Sequence, residues 1–502
     1  MTSRAAALQA LDTANDTIAL LRAASSALGL GLADAVDARL TPLVGASTAD
    51  PRLWQFLGLA RRELQDSAGA HQAFNQAAAL APADPIIAHS QARTALEAGY
   101  PALTMFNRAR LLAPTDGAVM LGRVAAMMAE GKGAEALDQL GKLLGSSPGW
   151  TDGHHAYARL AAQVGQGAPL DAPLRRAIGQ HPQAGALWQT LIQLWMEARD
   201  YHRTAEIVGE ARAALGPSAE LDRIEAICLS ELGEPGRAQA IFDSLPFPDD
   251  GEAAIWPIRN FIRLNRYDQA GLLADQHFAA NDAAIWPYRS LLWRLNADIR
   301  WQWLEGDERM IQTFDIASEV GSLDRLAEVL RGLHTAKGEP LDQSVRGGTQ
   351  TDGNLLARAE PEIRRLRAAL LEAVRSYVAT LPPADPAHPM LLARREPLRI
   401  AGSWSVRLTD RGFHADHVHW QGWVSSAFYV VVPPDDPVVP ESGWLAFGEC
   451  RDLLPDLRAF RTVKPAPGTL ALFPSIMWHG TRPFGSGERM TVAYDIARPP
   501  QA

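Results

Sequence analysis

Three of the chain's 13 histidines fall within six positions, in Gly412-Phe-His-Ala-Asp-His-Val-His-Trp420. A fourth, His479, closes the run Gly468-Thr-Leu-Ala-Leu-Phe-Pro-Ser-Ile-Met-Trp-His479, and Arg489 follows ten residues later. Imidazole suits Fe, Zn, Cu and Ni, so histidines gathered in this way point to a metal without choosing it. Residues i and i+2 of a strand share a face. His417 and His419 can therefore reach one ion, and His479 can close the site from the opposite sheet. Arg489 opens Arg-Met-Thr-Val-Ala-Tyr-Asp495, in which Thr491 shares its face. A guanidinium beside a hydroxyl is a good clamp for a carboxylate. The spacing thus predicts a metal site backed by an anion site.

Residues so far apart in sequence need a scaffold of facing strands. From Leu398 the pattern turns to short strands and turns, at Ile400–Leu408, Val424–Val432, Gly443–Phe447, Thr469–Phe473 and Met490–Ile496. That spacing predicts a jelly-roll or cupin-like barrel. Helices are expected at about 322–333 and 359–380. Between them Pro340–Thr351 reads as a loop over the site, whose Gly347-Gly348 could close on an anion through backbone N–H groups but lacks a P-loop pattern. His334 and His388 read as ordinary isolated histidines, and Trp423 and Trp478 as packing residues. Phe473-Pro474-Ser475 reads as the turn that aims His479.

The first three hundred residues carry a different pattern. The start, to about residue 45, reads as one or two amphipathic helices. Asp50-Pro51 and Asp84-Pro85 are 34 apart, and the stops at Pro82 and Pro114 are 32 apart. Trp54, Leu57-Gly58, Ala70, Phe74, Ala77 and Pro82 form one unit, and Ala102, Phe106, Ala109 and Pro114 repeat its later half. Small residues permit close helix crossing, Phe fills the groove, and proline ends the second helix. The pattern resembles tetratricopeptide repeats over 50–148 and fades over 149–250. Ala253-Ala-Ile-Trp-Pro257 recurs as Ala283-Ala-Ile-Trp-Pro287, which suggests two helix starts with proline in the first turn. Such arrays commonly hold a peptide or protein partner in a concave groove, brace another domain or drive dimerisation. Composition shifts after Trp301–Asp307, giving expected domains of 1–305 and 306–502.

The segment 412–430, Lys464–Gly480 and Arg489 resemble the 2-oxoglutarate/Fe(II)-dependent dioxygenases, within them the bacterial group with tetratricopeptide repeats ahead of the oxygenase domain. Trp301–Asp307 and Gln343–Thr351 also resemble segments of that group. The resemblance implies Fe(II) and 2-oxoglutarate as cofactors and hydroxylation of a substrate C–H bond. It places His417 and His479 among the iron ligands and Arg489, with Thr491, on the far carboxylate of 2-oxoglutarate. It expects Asp or Glu at 419, where this chain has His. His414-x-Asp416 has the spacing of the expected pair, so two registers stay open. The 417/419 pair keeps the distances to Gly412 and Gly422-Trp423 that the resemblance requires. Asp416 would then orient a histidine or sit at a strand edge.

The fold expected is therefore multidomain: an all-α tetratricopeptide-type array, then a double-stranded β-helix (jelly-roll, cupin-like) domain with flanking helices. Two other readings of function remain at this stage, a repeat scaffold with an inactive or structural metal-binding oxygenase fold and a cupin-type metalloenzyme without 2-oxoglutarate. Of 502 residues, 57 are acidic and 48 basic, a net charge of −9 that argues against nucleic acid as a partner. Only Cys228 and Cys450 occur, which gives no disulfide framework or zinc ribbon. No apolar run is long enough for a membrane span, and no apolar leader opens the sequence, so a cytoplasmic location is expected.

Overall fold

Aspartate sets the start of each early repeat. Asp50, Asp84 and Asp116 each turn a carboxylate onto backbone N–H groups two or three residues ahead, at 2.8–3.1 Å. This satisfies donors that the first helical turn leaves without partners. Helices then run over Pro51–Glu63, Pro85–Glu97 and Gly117–Ala129, with return helices over Ser67–Leu80, Leu103–Leu112 and Gly133–Ser146. The chain is described by a computed structural model over residues 3–501, apart from 46–48, 166, 168, 247, 249, 278–282, 342 and 343. Three helices precede the repeats (Arg4–Thr13, Thr17–Gly29 and Ala33–Leu40) where one or two were expected. Gly31 at φ +67° makes the added turn between the last two.

The helical period outlasts the motif that announced it. Further pairs begin at Thr151, Gly185, Ala219 and Gly251, so the helix starts from Pro51 onward step by 32 to 34 residues. The proline of the second Ala-Ala-Ile-Trp-Pro copy does lie in the first turn of its helix, Trp286–Leu295. Pro257 does not: it sits inside Gly251–Arg263, because Asp250 caps that helix seven residues earlier. The earlier repeats pack as their spacing predicts. Phe74 lies over Gly58 of its own helix pair, where a Cβ would come within 2.6 Å of its ring, and Phe106 lies over Gly122 of the next pair. Phe106→Ala is expected to cost about 3–5 kcal/mol, since a fully buried ring leaves a cavity. A fall in the urea midpoint of unfolding measures it.

The described chain divides into two compact units, 1–140 with 353–364, and 141–352 with 365–502. In the first, the backbone of Ala359 returns to Ala98, donating N–H to its carbonyl at 3.0 Å. The second unit contains every strand named among the described residues. They are β1 (Gln312–Asp315), β2 (Val345–Gln350), β3 (Ile400–His417), β4 (Gly422–Val431), β5 (Leu445–Phe447), β6 (Arg461–Val463), β7 (Thr469–Pro474), β8 (His479–Thr481) and β9 (Arg489–Ala497). They form one curled antiparallel sheet in the order β1-β7-β4-β9-β3-β8-β5-β6, with β2 on β3. This is the sheet of a jelly-roll domain following a helical repeat array.

The 18-residue β3 ties the sheet together. Its first half pairs with β9, from Ile400 opposite Ile496 to Leu408 opposite Arg489. Its last residues pair with β8, and β2 lies along the other edge. The expected loop at 340–351 is therefore largely strand. Gly347, at φ +71°, allows the register shift that lets β2 follow β3 past Gly412. Its N–H is not available to an anion, because it donates to the Glu339 carboxylate at 2.6 Å. Gln343 of that segment lies outside the described residues.

His334 and His388 are satisfied polar residues of this frame. His334 bonds Thr349 of β2 at 2.8 Å and Ser405 of β3 at 3.1 Å, and His388 bonds the Leu304 carbonyl at 3.1 Å. Burial, then the nearby Arg407, pushes the His334 pKa down to about 4. An unfolded histidine titrates near 6.5, so the unfolded chain binds the proton first as pH falls. The contribution of His334 is therefore present above about pH 6.5 and lost as pH drops towards 4. Thermal melts from pH 8 to 4 are expected to fall through that window, and less steeply for His334→Gln.

The helices over 251–305 share a core with the sheet. Ile258, Ile262, Leu273, Tyr288 and Leu291 pack with Cys450, Leu453 and Trp478. The Trp478 indole donates to the Pro287 carbonyl at 3.1 Å, and Trp286 and Leu304 meet Ile476. No helix among the described residues is long and apolar enough to cross a membrane.

Candidate metal centre

His417 is the last residue of β3 and stands directly opposite His479, the first residue of β8. Directly paired residues of antiparallel strands hold their Cβ atoms about 5 Å apart, and these two rings lie 4.3 Å apart between centroids. His479 thus comes from the strand hydrogen-bonded to β3, not from an opposite sheet. His419 lies past the strand end, so strand alternation does not place it. A turn does: its N–H donates to the Ser475 carbonyl and its own carbonyl accepts from the Gly422 N–H, both at 2.8 Å. The ring then stands 4.9 Å from His417 and 5.3 Å from His479. One nitrogen from each of the three rings lies within 4.8 Å of the other two.

The hydrogen bonds behind these rings decide which nitrogen faces inward. Nδ1–H of His417 donates to the Ala415 carbonyl at 2.8 Å, and Nδ1–H of His479 to the Met477 carbonyl at 2.9 Å. His419 Nδ1 meets the Asp495 carboxylate at 2.7 and 2.9 Å. Each ring therefore leaves Nε2 to the shared space, and a partner on the far nitrogen is how ligating histidines are oriented. Burial, then the neighbouring His419, pushes the His417 pKa down to about 3, and burial holds His479 well below the ordinary value. Both are neutral imidazoles with a lone pair at neutral pH.

The other register is not assembled. Asp416 neither meets His414 nor orients a histidine: its carboxylate accepts from the Arg451 backbone N–H at 2.8 Å and from the guanidinium at 2.6 and 2.7 Å. His414 meets the Ser344 hydroxyl at 3.1 Å and stacks on His417. Trp423 and Trp478 are buried packing residues; Phe473 and Pro474 end β7 rather than forming a turn, the Phe473 ring abuts His479, and Ser475, which opens the turn, anchors His419.

Arg489 and Thr491 line the same cavity of about 260 Å³ as the three imidazoles. The Arg489 side chain is fully buried with its guanidinium carbon 5.3 Å from the Tyr429 ring centre. Its Nε has no hydrogen-bond partner, and among the described residues no carboxylate pairs with it. Burial pulls its pKa below the usual arginine value. A buried unpaired cation is costly unless an anion completes it. The donor set therefore suits a divalent transition metal, and the lone guanidinium suits a ligand carboxylate.

Residues 402–495 match the family model described as "Putative 2OG-Fe(II) oxygenase". The C-terminal region carries a domain of that family. It is an oxidoreductase family whose members use Fe(II) and 2-oxoglutarate. Among solved structures, similar chains include a tetratricopeptide repeat protein from Parabacteroides merdae (15% identity, 45% of this chain and 90% of that chain covered, TM-score 0.29). HygX from Streptomyces hygroscopicus, solved with nickel and 2-oxoglutarate bound, is 16% identical, with 38% and 82% covered and a TM-score of 0.28. A Pseudomonas putida prolyl-4-hydroxylase is 16% identical, with 38% and 94% covered and a TM-score of 0.26. At these scores none of them carries a substrate or partner over to this chain. No curated protein matches the chain.

Several cavity residues of the oxygenase domain escaped sequence reading. Trp404 lines it from β3, Gln350 from β2 and Ser344 from the residue before β2, and Arg199 from the turn between helices Gly185–Glu197 and Tyr201–Leu215. Asp495 was legible in principle, because 489, 491, 493 and 495 alternate onto one face of β9. Nothing in the sequence pairs Arg199 with the site.

Proposed function

We propose that the chain is a 2-oxoglutarate- and Fe(II)-dependent dioxygenase that hydroxylates a peptide or protein segment, with the chemistry in 306–502 and partner binding in the repeat region 1–305. His417, His419 and His479 hold the metal through Nε2. Arg489, with Thr491 beside it, holds the 5-carboxylate of 2-oxoglutarate. The observation that carries this reading is the meeting of three imidazoles and one buried, unpaired guanidinium in a single cavity. With O2 as the oxidant and 2-oxoglutarate as the second electron donor, a bound Fe(II) would supply the chemistry for hydroxylating an unactivated C–H bond.

The chain's own residues bind, orient and shield. Carbonyls of Ala415 and Met477 fix two ring tautomers, so Nε2 lone pairs point inward without rearrangement. Arg489 and Thr491 would anchor the anionic end of the co-substrate in the cavity that the imidazoles also line. Phe473, Ala427 and Leu445 form an apolar wall that limits water. Arg199 belongs to a helix-pair turn, so the repeat region contributes to the cavity wall, which supports a substrate presented by those helices.

The test is anaerobic titration of the purified chain with Fe(II), then with 2-oxoglutarate. The expected result is one iron per chain and a visible charge-transfer band that appears on adding 2-oxoglutarate. Iron without that band would leave a metalloenzyme of another kind, and no iron would leave a scaffold.

A further inference from the structure

In this site the metal would face three neutral imidazoles, because His419 stands where the family resemblance expects a carboxylate. One carboxylate nevertheless lies directly behind it. Asp495 of β9 is largely buried, with both oxygens on His419 Nδ1 at 2.7 and 2.9 Å. The Ser425 hydroxyl donates to the same group at 2.6 Å and also touches Ser475 at 2.9 Å. Ser475 in turn holds the His419 backbone at 2.8 Å. Among the described residues no Arg or Lys pairs with Asp495. The close partners of this carboxylate are thus an imidazole N–H and a hydroxyl, with no cation opposite it.

We propose that Asp495 supplies, through His419, the negative charge that an acidic ligand would have placed on the metal itself. The proposal rests on the reading of His417, His419 and His479 as metal ligands. A carboxylate accepting Nδ1–H makes Nε2 a stronger donor and fixes the ring's orientation. The charge stands one imidazole farther from the ion, in a buried setting where Coulomb interactions are weakly screened. Asp495 is a positioning residue: it touches neither metal nor substrate. The site therefore keeps the net charge of a two-histidine, one-carboxylate centre while presenting three nitrogens.

Metal binding and redox potential of the 2-oxoglutarate-free protein test this, apart from turnover. Wild type, Asp495→Asn and the double variant His419→Asp with Asp495→Asn are titrated with Fe(II) anaerobically, and the Fe(III)/Fe(II) midpoint is measured in each. Asn keeps the shape and the Ser425 contact, and circular dichroism checks the fold. Asp495→Asn is expected to weaken Fe(II) binding roughly 10- to 100-fold and to raise the midpoint, because losing a negative charge disfavours Fe(III) more than Fe(II). The double variant, which moves the carboxylate to the ligand position, is expected to recover both. Unchanged affinity, a loss of affinity with no shift in midpoint, or a double variant no better than Asp495→Asn would each overturn the proposal and leave the oxygenase reading intact. A folded wild type that takes up no iron overturns both.

Discussion

His479→Ala is expected to weaken Fe(II) binding by well over 100-fold while leaving the helical circular dichroism signal unchanged. Loss of an outer partner of a ligating histidine already costs about 10–100-fold, and this substitution removes one of the three proposed ligands itself. His479 is suited to the test because its place is fixed from two sides. The strand register sets it opposite His417, and the Met477 carbonyl sets its tautomer. Phe473 packs against the ring at 4.7 Å, so a small loss of stability accompanies the change. Anaerobic equilibrium dialysis against Fe(II) reads the affinity. Binding within about tenfold of wild type would mean that the ion, if any, is held elsewhere.

Arg489→Met is expected to leave Fe(II) affinity near wild type and to remove 2-oxoglutarate binding. Truncating one member of a buried charge pair costs about 2–5 kcal/mol, roughly 30-fold or more in dissociation constant. Methionine fills a similar space without charge, so the protein without co-substrate should be at least as stable as wild type. Its unpaired buried guanidinium is a liability until an anion arrives. The two effects separate in one thermal-melt series. Without 2-oxoglutarate the variant melts at or above wild type, and with it only wild type gains the stabilisation that a ligand of the folded state confers.

What the sequence could and could not yield follows from how local each signal is. Asp50, Asp84, Phe74 and Phe106 act within one helix pair or on the next helix along the chain, so their spacing alone marks the early repeats. The later pairs from Thr151 onward keep the period without the aromatic signature, because other side chains fill the same groove. Strand alternation, a two-residue rule, puts Arg489 and Thr491 on one face of β9 but fails for the 417/419 pair, because β3 ends at His417. His419 reaches the site by a turn pinned to Ser475, and a turn leaves no periodic trace. The strands β1, β2 and β8 are short or glycine-bearing and exist because longer strands offer them edges, which no local propensity reports. Asp495 and Arg199 are the extreme case: their neighbours lie 76 and more than 200 residues away in the chain.

The shared packing of helices 251–305 with Cys450, Leu453 and Trp478 bears on how this protein can be handled. A chain cut where composition changes, near residue 305, would open a wet seam along the back of the turn that carries His479. Trp478, the residue next to His479, would lose both its apolar neighbours and the Pro287 carbonyl. The piece of chain that keeps the turn dry begins upstream of Gly251, so the last repeats are packing support for the strands rather than a detachable handle.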